Sequence, residues 1–274
     1  MSVLRFCLRV VGFVLILATA LLVRLLAPTL RLDGQRLARV LWCRGCLALL
    51  NVRVGRAGLA APGGPTLFVA NHVSWLDILV LGGQIDGVFV AKSEVAGWPL
   101  FGSLARLART IFIERHWRAA RAQCRLLAGK LRGRDDLILF PEGTSSAGRD
   151  VLPFKTSLFA AAAPEPFGAG AQVQPVTLAY LGLSAGGTAC PERYAWHGDQ
   201  LFLPHLCQVL ADRGCRVELV FHPPCRVADL QGRKAAATAA HRVIAAELTK
   251  RRAEAPVGAA QGVAPPLAGE PAAG

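Results

Sequence analysis

Short β-like runs that alternate with helical stretches, from residue 52 onward, constrain the fold of this 274-residue chain more than any other feature. Such alternation is typical of α/β domains, in which helices cover a central sheet. The pattern predicts a mixed, largely parallel sheet of about seven strands flanked by helices. The predicted strands are residues 52–54, 67–70, 88–91, 110–113, 137–140, 176–180 and 217–221, and the predicted helices are 76–81, 118–131, 154–163 and 229–250.

The residues on either side of this region differ from it in composition. Residues 1–50 are expected to form N-terminal membrane-associated helices, the second of which, residues 34–50, is basic and amphipathic. That helix suits either an anionic membrane or the surface of the domain. Residues 51–252 are the predicted α/β domain, and residues 253–274, rich in Ala, Pro and Gly, are a predicted disordered tail.

The first helix is expected to anchor the chain. Hydrophobic residues make up 53% of the sequence and its mean hydropathy is +0.40, which leaves apolar surface for lipid. The uncharged run, residues 10–23, spans about 21 Å as a helix against a hydrocarbon core of about 30 Å. It either crosses the membrane with Arg9 and Arg24 reaching the headgroups, or lies in one leaflet.

A cleaved signal peptide is the alternative for the same segment, because Ala18-Thr19-Ala20 resembles a cleavage site after a basic start. The apolar run continues past that point, which favours an uncleaved anchor.

The chain is strongly basic, with 31 Lys and Arg against 18 Asp and Glu and a net charge of +13. Such a charge attracts nucleic acids, anionic membranes or phosphorylated small molecules. Nucleic acid is the weakest of the three, because the aromatic residues do not alternate with the basic ones and no zinc-finger or RNP-like motif is present. We therefore expect membrane lipids and a phosphorylated ligand as partners, and no nucleic acid.

The eight cysteines are scattered along the chain, which indicates reduced thiols in a cytoplasmic setting. Cys43 and Cys46 form a C-x-x-C pair, but no second pair or nearby histidine completes a zinc set. We expect this pair to pack in the core and the protein to hold no metal.

Residues 67–81, LFVANHVSWLDILVL, join a buried strand to a helix through a polar turn that holds His72. The ends of strands are where α/β proteins keep their chemistry. If Ser74 caps the helix, the carboxylate of Asp77 can reach back to a ring nitrogen of His72 and fix its tautomer, as in a general base. In the alternative interpretation, Asp77 only accepts a hydrogen bond from a free backbone N–H at the start of the helix. His72 is then a hydrogen-bonded residue with a structural role.

Residues 137–146, LILFPEGTSS, repeat this layout. Pro141 ends the strand, and Gly143 allows the backbone to approach a ligand closely. The hydroxyls of Thr144 and Ser145 that follow suit a phosphate group on that ligand. Two further strands end in cations. We expect one edge of the sheet to hold a base and an anion-binding cradle, formed by His72, Asp77, Lys92, Arg115 and Glu142.

Four motifs resemble, in order and separation, those of the glycerophospholipid acyltransferases, the family of the 1-acylglycerol-3-phosphate acyltransferases. Asn71-His72 with Asp77 resembles the N-H-x₄-D motif, and residues 140–144 resemble F-P-E-G-T. Residues 112–115 are similar to the F-x-x-R block and residues 174–176 to the later proline block. The likeness covers residues 52–223. Arg109, Thr156, Ser157 and Gln174 depart from the family pattern, which concerns the acceptor more than the chemistry.

This resemblance implies that His72, oriented by Asp77, is the general base on a lysophospholipid hydroxyl that attacks an acyl thioester of CoA or of acyl carrier protein. It implies substrate-binding roles for Lys92, Arg115, Glu142, Gly143 and Thr144. The expected activity is acylation of 1-acylglycerol-3-phosphate, without a cofactor, at the cytoplasmic face of the cell membrane. The alternatives are acylation of another lysolipid, such as lyso-ornithine lipid, and a non-catalytic lipid-binding protein.

Overall fold

The computed structural model describes residues 3–61, 65–97, 105, 110–113, 120–164, 169–183 and 191–254. Within these ranges eight strands form one sheet in the order β1-β7-β6-β2-β5-β3-β4, with β8 beside β6. The strands are β1 Arg53–Ala57, β2 Thr66–Ala70, β3 Gly87–Lys92, β4 Ile111–Ile113, β5 Asp136–Leu139, β6 Gln172–Leu181, β7 Arg216–Phe221 and β8 Cys225–Arg226. All seven predicted strands are present, and only the two-residue β8 is additional.

The sheet is mixed and largely parallel, as predicted. Strands β6, β2, β5, β3 and β4 pair in parallel along this order, as do β1 and β7, whereas β7 and β8 run antiparallel to β6. The carboxyl ends of β2, β5, β3 and β4 therefore meet at one edge. In the β2–β5 register Leu67 faces Leu137 and Val69 faces Leu139, and continuing it by three residues places His72 level with Glu142.

Helices cover both faces of the sheet, which explains why β2 is buried along its whole length. On one face lie α1 Val3–Leu26, α2 Gly34–Leu49, α3 Leu76–Gly82 and α5 Phe202–Ala211. On the other lie α4 Ala120–Arg132 and α6 Arg233–Glu254, together with the 3₁₀ segment Thr156–Ala162 in place of the predicted helix 154–163. Helix α5 was not predicted. The predicted tail begins inside α6, and its remainder from residue 255 lies outside the described residues.

The N-terminal helices form an antiparallel hairpin packed on the domain. Val3–Leu30 is long and apolar enough to cross a membrane, with a peak mean hydropathy of 2.6. Close contact with α2 needs small residues: a Cβ on Gly12 would lie 2.6 Å from Leu49 Cδ1, and one on Gly34 would lie 2.8 Å from the Arg24 carbonyl oxygen. One side of α1 is thus committed to protein contact.

Of the two alternatives for the first helix, the one in which Arg9 reaches the headgroups does not hold. Arg9 is only 7% exposed, and its Nε donates to the Leu49 carbonyl at 2.9 Å. Its Nη1 donates to the carbonyls of Leu210 at 2.9 Å and Asp212 at 2.5 Å. The last carbonyls of a helix have no partner within the helix, so one guanidinium completes the ends of α2 and α5 and ties both to α1.

Helix α2 packs on the domain, which decides between its two predicted placements. Its Arg39 donates to the Gly82 carbonyl at 2.7 Å, and Arg44 to the Gly83 carbonyl at 3.0 Å, both at the end of α3. Cys43 and Cys46 are buried at 4% and 0% exposure, and burial raises the pKa of the Cys43 thiol to about 12. The predicted packing role of this pair is confirmed.

Candidate active site

His72 and Asp77 are in direct contact. His72 lies two residues beyond the end of β2 and Asp77 in the first turn of α3, and the distance from His72 Nδ1 to Asp77 Oδ2 is 2.7 Å. An ionised carboxylate can only accept, so Nδ1 carries the proton and Nε2 keeps its lone pair. The His72 side chain is 19% exposed and that of Asp77 is fully buried. This is the arrangement of a base and its orienting carboxylate.

Asp77 is held by four donors. Its Oδ2 accepts the backbone N–H of Val73 at 2.7 Å and of Ser74 at 3.0 Å, besides His72 Nδ1. Its Oδ1 accepts the Tyr180 hydroxyl at 2.6 Å. Burial and the Asp77 charge raise the pKa of Tyr180 well above its usual value, so the phenol stays a donor. The carboxylate therefore has one fixed orientation.

The expected capping role of Ser74 is wrong. The helix N-cap is Trp75, with no side-chain cap bond, and the Ser74 Oγ is buried without a hydrogen-bond partner among the described residues. Ser74 contributes its backbone instead: its N–H binds Asp77, and its carbonyl accepts the Asp77 N–H at 3.0 Å.

The second motif supports the first. The Phe140 ring stacks on the His72 imidazole, with 4.1 Å between centroids and 16° between planes. Glu142 is 4% exposed, and its two carboxylate oxygens accept the backbone N–H of His72 at 2.8 Å and of Leu152 at 3.0 Å. Glu142 thus faces the turn that holds the histidine. Burial raises the pKa of Glu142 to about 7, although both N–H donors act in the opposite direction.

We expect Glu142 to weaken the fold as the pH rises. A carboxyl with a folded-state pKa of about 7 and an ordinary value of 4.5 favours folding below pH 4.5, and this contribution is lost as the pH rises through 7. Relative to Glu142→Gln, which does not titrate, the wild-type free energy of unfolding should fall by up to about 3 kcal/mol across this window. Denaturant unfolding of both proteins in detergent at several pH values measures the difference; a constant difference would contradict it.

Gly143 and Thr144 lie in the turn that follows. Gly143 has φ +77°, a conformation that favours glycine, and Thr144 is exposed. A Cβ on Gly143 would lie 2.6 Å from Lys155 Nζ, so the Lys155 ammonium rests against this turn. Sequence analysis assigned Lys155 no role. The backbone N–H of Lys155 donates to the Pro141 carbonyl at 2.8 Å, which fixes the lysine beside the second motif.

The structure does not place Lys92, one of the two predicted cations, beside His72. Lys92 ends β3, which is separated from β2 by β5, that is by two strand spacings or about 10 Å. Its ammonium lies 2.6 Å from Glu94. Arg115 lies outside the described residues.

Three contacts that sequence analysis missed hold the catalytic turn. The Asn71 amide accepts the Leu178 N–H at 2.8 Å and donates to the Leu178 carbonyl at 2.9 Å, which joins the end of β2 to β6. The Val73 carbonyl accepts the Trp196 N–H and the His72 carbonyl accepts the Ser146 N–H, both at 2.9 Å. Only Asn71, which precedes the histidine in the motif, could have been suspected.

Similarity to known proteins agrees with this geometry. The profile of the family described as Acyltransferase matches residues 51–179. Lyso-ornithine lipid O-acyltransferase of Rhodobacter capsulatus is 41% identical over 210 residues, which are 76% of this chain and 75% of that protein. The chain belongs to the acyltransferase family. The acyltransferase is also similar to the 1-acyl-sn-glycerol-3-phosphate acyltransferase of Neisseria meningitidis, with 39% identity over 155 residues, 54% of this chain and 57% of that one.

The fold has a solved counterpart. The crystal structure of the 1-acyl-sn-glycerophosphate acyltransferase PlsC from Thermotoga maritima has a TM-score of 0.60 and 22% identity, covering 93% of this chain and 99% of that one. This likeness shows the fold: the acyltransferase is built on the same mixed α/β fold, and its sequence relatives place it in the glycerophospholipid and lysolipid group.

Proposed function

We propose that this acyltransferase moves a fatty acyl group from acyl-CoA or acyl carrier protein to the free hydroxyl of a lysolipid, with His72 as general base. The observation on which the proposal rests is the 2.7 Å contact between His72 and the buried Asp77, which leaves Nε2 as the basic nitrogen of a partly exposed ring. An alcohol is a poor nucleophile at neutral pH, and positioned proton removal contributes typically about 10²–10⁴-fold.

The reaction needs no covalent enzyme intermediate. The lysolipid oxygen attacks the thioester carbonyl carbon while Nε2 takes the hydroxyl proton. A carbon–oxygen bond forms, the carbon–sulfur bond breaks, and the imidazolium returns the proton to the leaving thiolate. Asp77 stabilises the imidazolium through its bond to Nδ1.

We assign the remaining predicted site residues to two tasks. Gly143 and Thr144 offer donors to the acceptor headgroup, and Lys155 adds a cation beside them. Lys92 and Arg115 remain proposed anion-binding residues of the same edge. Glu142 instead positions the base, because both of its oxygens bind backbone N–H groups, one of them that of His72.

We expect Tyr180→Phe to slow turnover and to shift the acid limb of the kcat/KM profile to higher pH. Without the phenol, more negative charge stays on Asp77 to stabilise the imidazolium, although its orientation is looser. The unpaired Oδ1 should also lower the free energy of unfolding by about 1–3 kcal/mol. A pH–rate profile tests the shift of the acid limb, and denaturant unfolding tests the loss of stability. If the variant were less stable but its acid limb did not move, Tyr180 would have a purely structural role.

The preferred acceptor is a lyso-ornithine lipid. Four relatives with this activity are 39–41% identical over 66–77% of the chain, whereas the two Neisseria 1-acyl-sn-glycerol-3-phosphate acyltransferases cover 54%. The ornithine headgroup carries a carboxylate in place of a phosphate, and the same cations suit either anion. The second candidate is 1-acylglycerol-3-phosphate, favoured by the Neisseria relatives.

An acceptor panel separates these candidates. Purified protein is given one labelled acyl thioester and either lyso-ornithine lipid or 1-acylglycerol-3-phosphate, and product is counted. We expect kcat/KM to favour lyso-ornithine lipid by at least about tenfold, the scale set by one unmatched polar headgroup contact. A preference for 1-acylglycerol-3-phosphate would overturn the proposed acceptor. The absence of product with either lipid would overturn the proposed reaction.

The apolar segment acts as an uncleaved anchor at the cytoplasmic face. Cleavage after Ala20 would remove Arg9 and its bonds to α2 and α5. Because α1 packs on α2 and α2 on the domain, α1 is placed in one leaflet more readily than across the bilayer. None of the seven cysteines of the described residues forms a disulfide, which suits a reducing compartment. A thiol reagent that cannot cross membranes should label a cysteine introduced at the exposed Thr238 of α6, above the labelling of the wild-type thiols, only in inverted vesicles.

A further inference from the structure

Helix α5 buries the polar side chain of His205 beside apolar residues and exposes other apolar side chains. His205 is 5% exposed, and its Nδ1 accepts the Trp75 Nε1–H at 3.0 Å. Leu201 and Leu203, in contrast, are 73% and 67% exposed. A helix on a water-facing surface has the opposite distribution. The exposed apolar residues at this helix, here called the α5 patch, are Leu201, Leu203, Pro204 and Cys207.

The α5 patch lies on a helix that packs against the anchor. Helix α1 packs against α5, and Arg9 of α1 binds the carbonyls of the last turn of α5. Apart from Arg5 and Thr19, the exposed residues of α1 are apolar. Its most exposed large hydrophobic side chains are Val3, Leu4, Leu8, Val11, Val14, Leu15, Leu22 and Leu25, all at least 54% exposed. Exposed apolar side chains on two helices that pack against each other, in a basic protein, suit a lipid bilayer.

Aromatic rings connect this patch to the catalytic turn. Phe202 makes edge contacts with Trp75 at 5.8 Å and with Trp196 at 5.9 Å between centroids. Trp75 is three residues after His72, and the Trp196 N–H binds the Val73 carbonyl at 2.9 Å. Tryptophan is enriched at the headgroup level of membranes. The two indoles therefore lie between the α5 patch and the base.

We propose that the α5 patch enters the same lipid surface as α1, so that the bilayer borders the active site and the lysolipid reaches His72 without leaving the membrane. The patch is then a second membrane contact that positions the active site. Helix α1 alone would hold the protein on the bilayer but leave it free to tilt about one axis.

Photocrosslinking tests the contact independently of catalysis. The benzophenone amino acid p-benzoylphenylalanine replaces Leu203, Leu15 of α1 or Leu59, which is 76% exposed and whose carbonyl binds Gln174 at the start of β6. The full-length proteins are irradiated on anionic phospholipid vesicles that contain radiolabelled lipid. We expect the Leu203 adduct to be within about threefold of the Leu15 adduct and at least about tenfold above that of Leu59.

Each other outcome overturns the proposal. No lipid adduct at Leu203 would mean that the patch faces water, whether or not Leu15 reacts. A crosslinked dimer in place of a lipid adduct would mean that a second copy of the chain covers the patch.

A kinetic test rests on the proposed function. In the double variant Leu201→Glu with Leu203→Glu, kcat/KM for acceptor embedded in vesicles should fall by about tenfold, because two charges enter the interface, while it stays within about twofold for acceptor in detergent micelles. Leu59→Glu is the matched control and should change neither. Equal losses in both assays would overturn the proposal. If the wild-type protein is inactive, the proposed function fails and the crosslinks still decide the membrane contact.

Discussion

His72→Ala will lower kcat for acyl transfer by about 10²–10⁴-fold and leave lipid binding intact. The variant removes the nitrogen that accepts the hydroxyl proton, whereas the anchor lies on other elements. The His72 ring also stacks on Phe140, so the variant leaves a small space at a partly exposed position, and the fold should tolerate it. Initial rates with labelled thioester, together with vesicle flotation, measure both properties.

His197→Ala is the matched histidine control. His197 lies in the loop before α5 and is bound to Gln200 through its backbone N–H, so the exchange removes a ring that has no part in the proposed reaction. Its rate should equal that of the wild type. If His72→Ala kept full activity, another group would have to be the base. If the wild-type protein bound lipid but had no activity, the non-catalytic lipid-binding alternative would be favoured.

Asp77→Asn will lower kcat/KM within the same range, about 10²–10⁴-fold, with little change in structure. The amide oxygen can take the three N–H donors now bound by Oδ2, and the amide nitrogen can donate to the Tyr180 hydroxyl. The variant loses the negative charge beside the imidazolium and the acceptor of the Tyr180 hydroxyl proton, but keeps the three backbone and ring N–H contacts. The thermal midpoint should therefore move by a few degrees at most, while the rate falls.

The contrast with a surface carboxylate makes this prediction specific. Asp199 is exposed in a turn, and Asp199→Asn should leave both rate and stability unchanged. A fall in the rate of Asp77→Asn that merely followed a large loss of stability would show that Asp77 serves the fold and not the chemistry. An unchanged rate would exclude the role of Asp77 in stabilising the imidazolium.

Much of this site was predictable because its residues are close together in sequence. His72 and Asp77 are five positions apart, and a strand-to-helix turn of this length brings them into contact whatever the rest of the chain does. The parallel arrangement of β2 and β5 followed from the alternating pattern, and it placed Glu142 beside His72. The role of Glu142 was not predictable, because its partners are backbone N–H groups that have no sequence signal.

The contacts that span long separations escaped prediction. Tyr180 reaches Asp77 across 103 residues, and Arg9 reaches Leu210 across 201. An arginine beside an apolar run is as typical of a residue that reaches lipid headgroups as of one that binds protein. The sequence pattern therefore could not show that Arg9 binds the carbonyls at the ends of two helices. Helix α5 was missed because it is short and apolar on both its buried and its exposed sides, so that it lacks the polar face that marks an ordinary amphipathic helix.

The sequence by itself determined the seven main strands, the largely parallel character of their sheet and the two motifs at one edge of it, because hydrophobic periodicity and turn residues act locally. Only the tertiary structure decided which groups those motifs meet: the phenol on Asp77, the carboxylate beneath the His72 backbone and the guanidinium that joins α1 to α5. These partners are chosen by how the elements pack, and packing depends on contacts between residues that are distant along the chain.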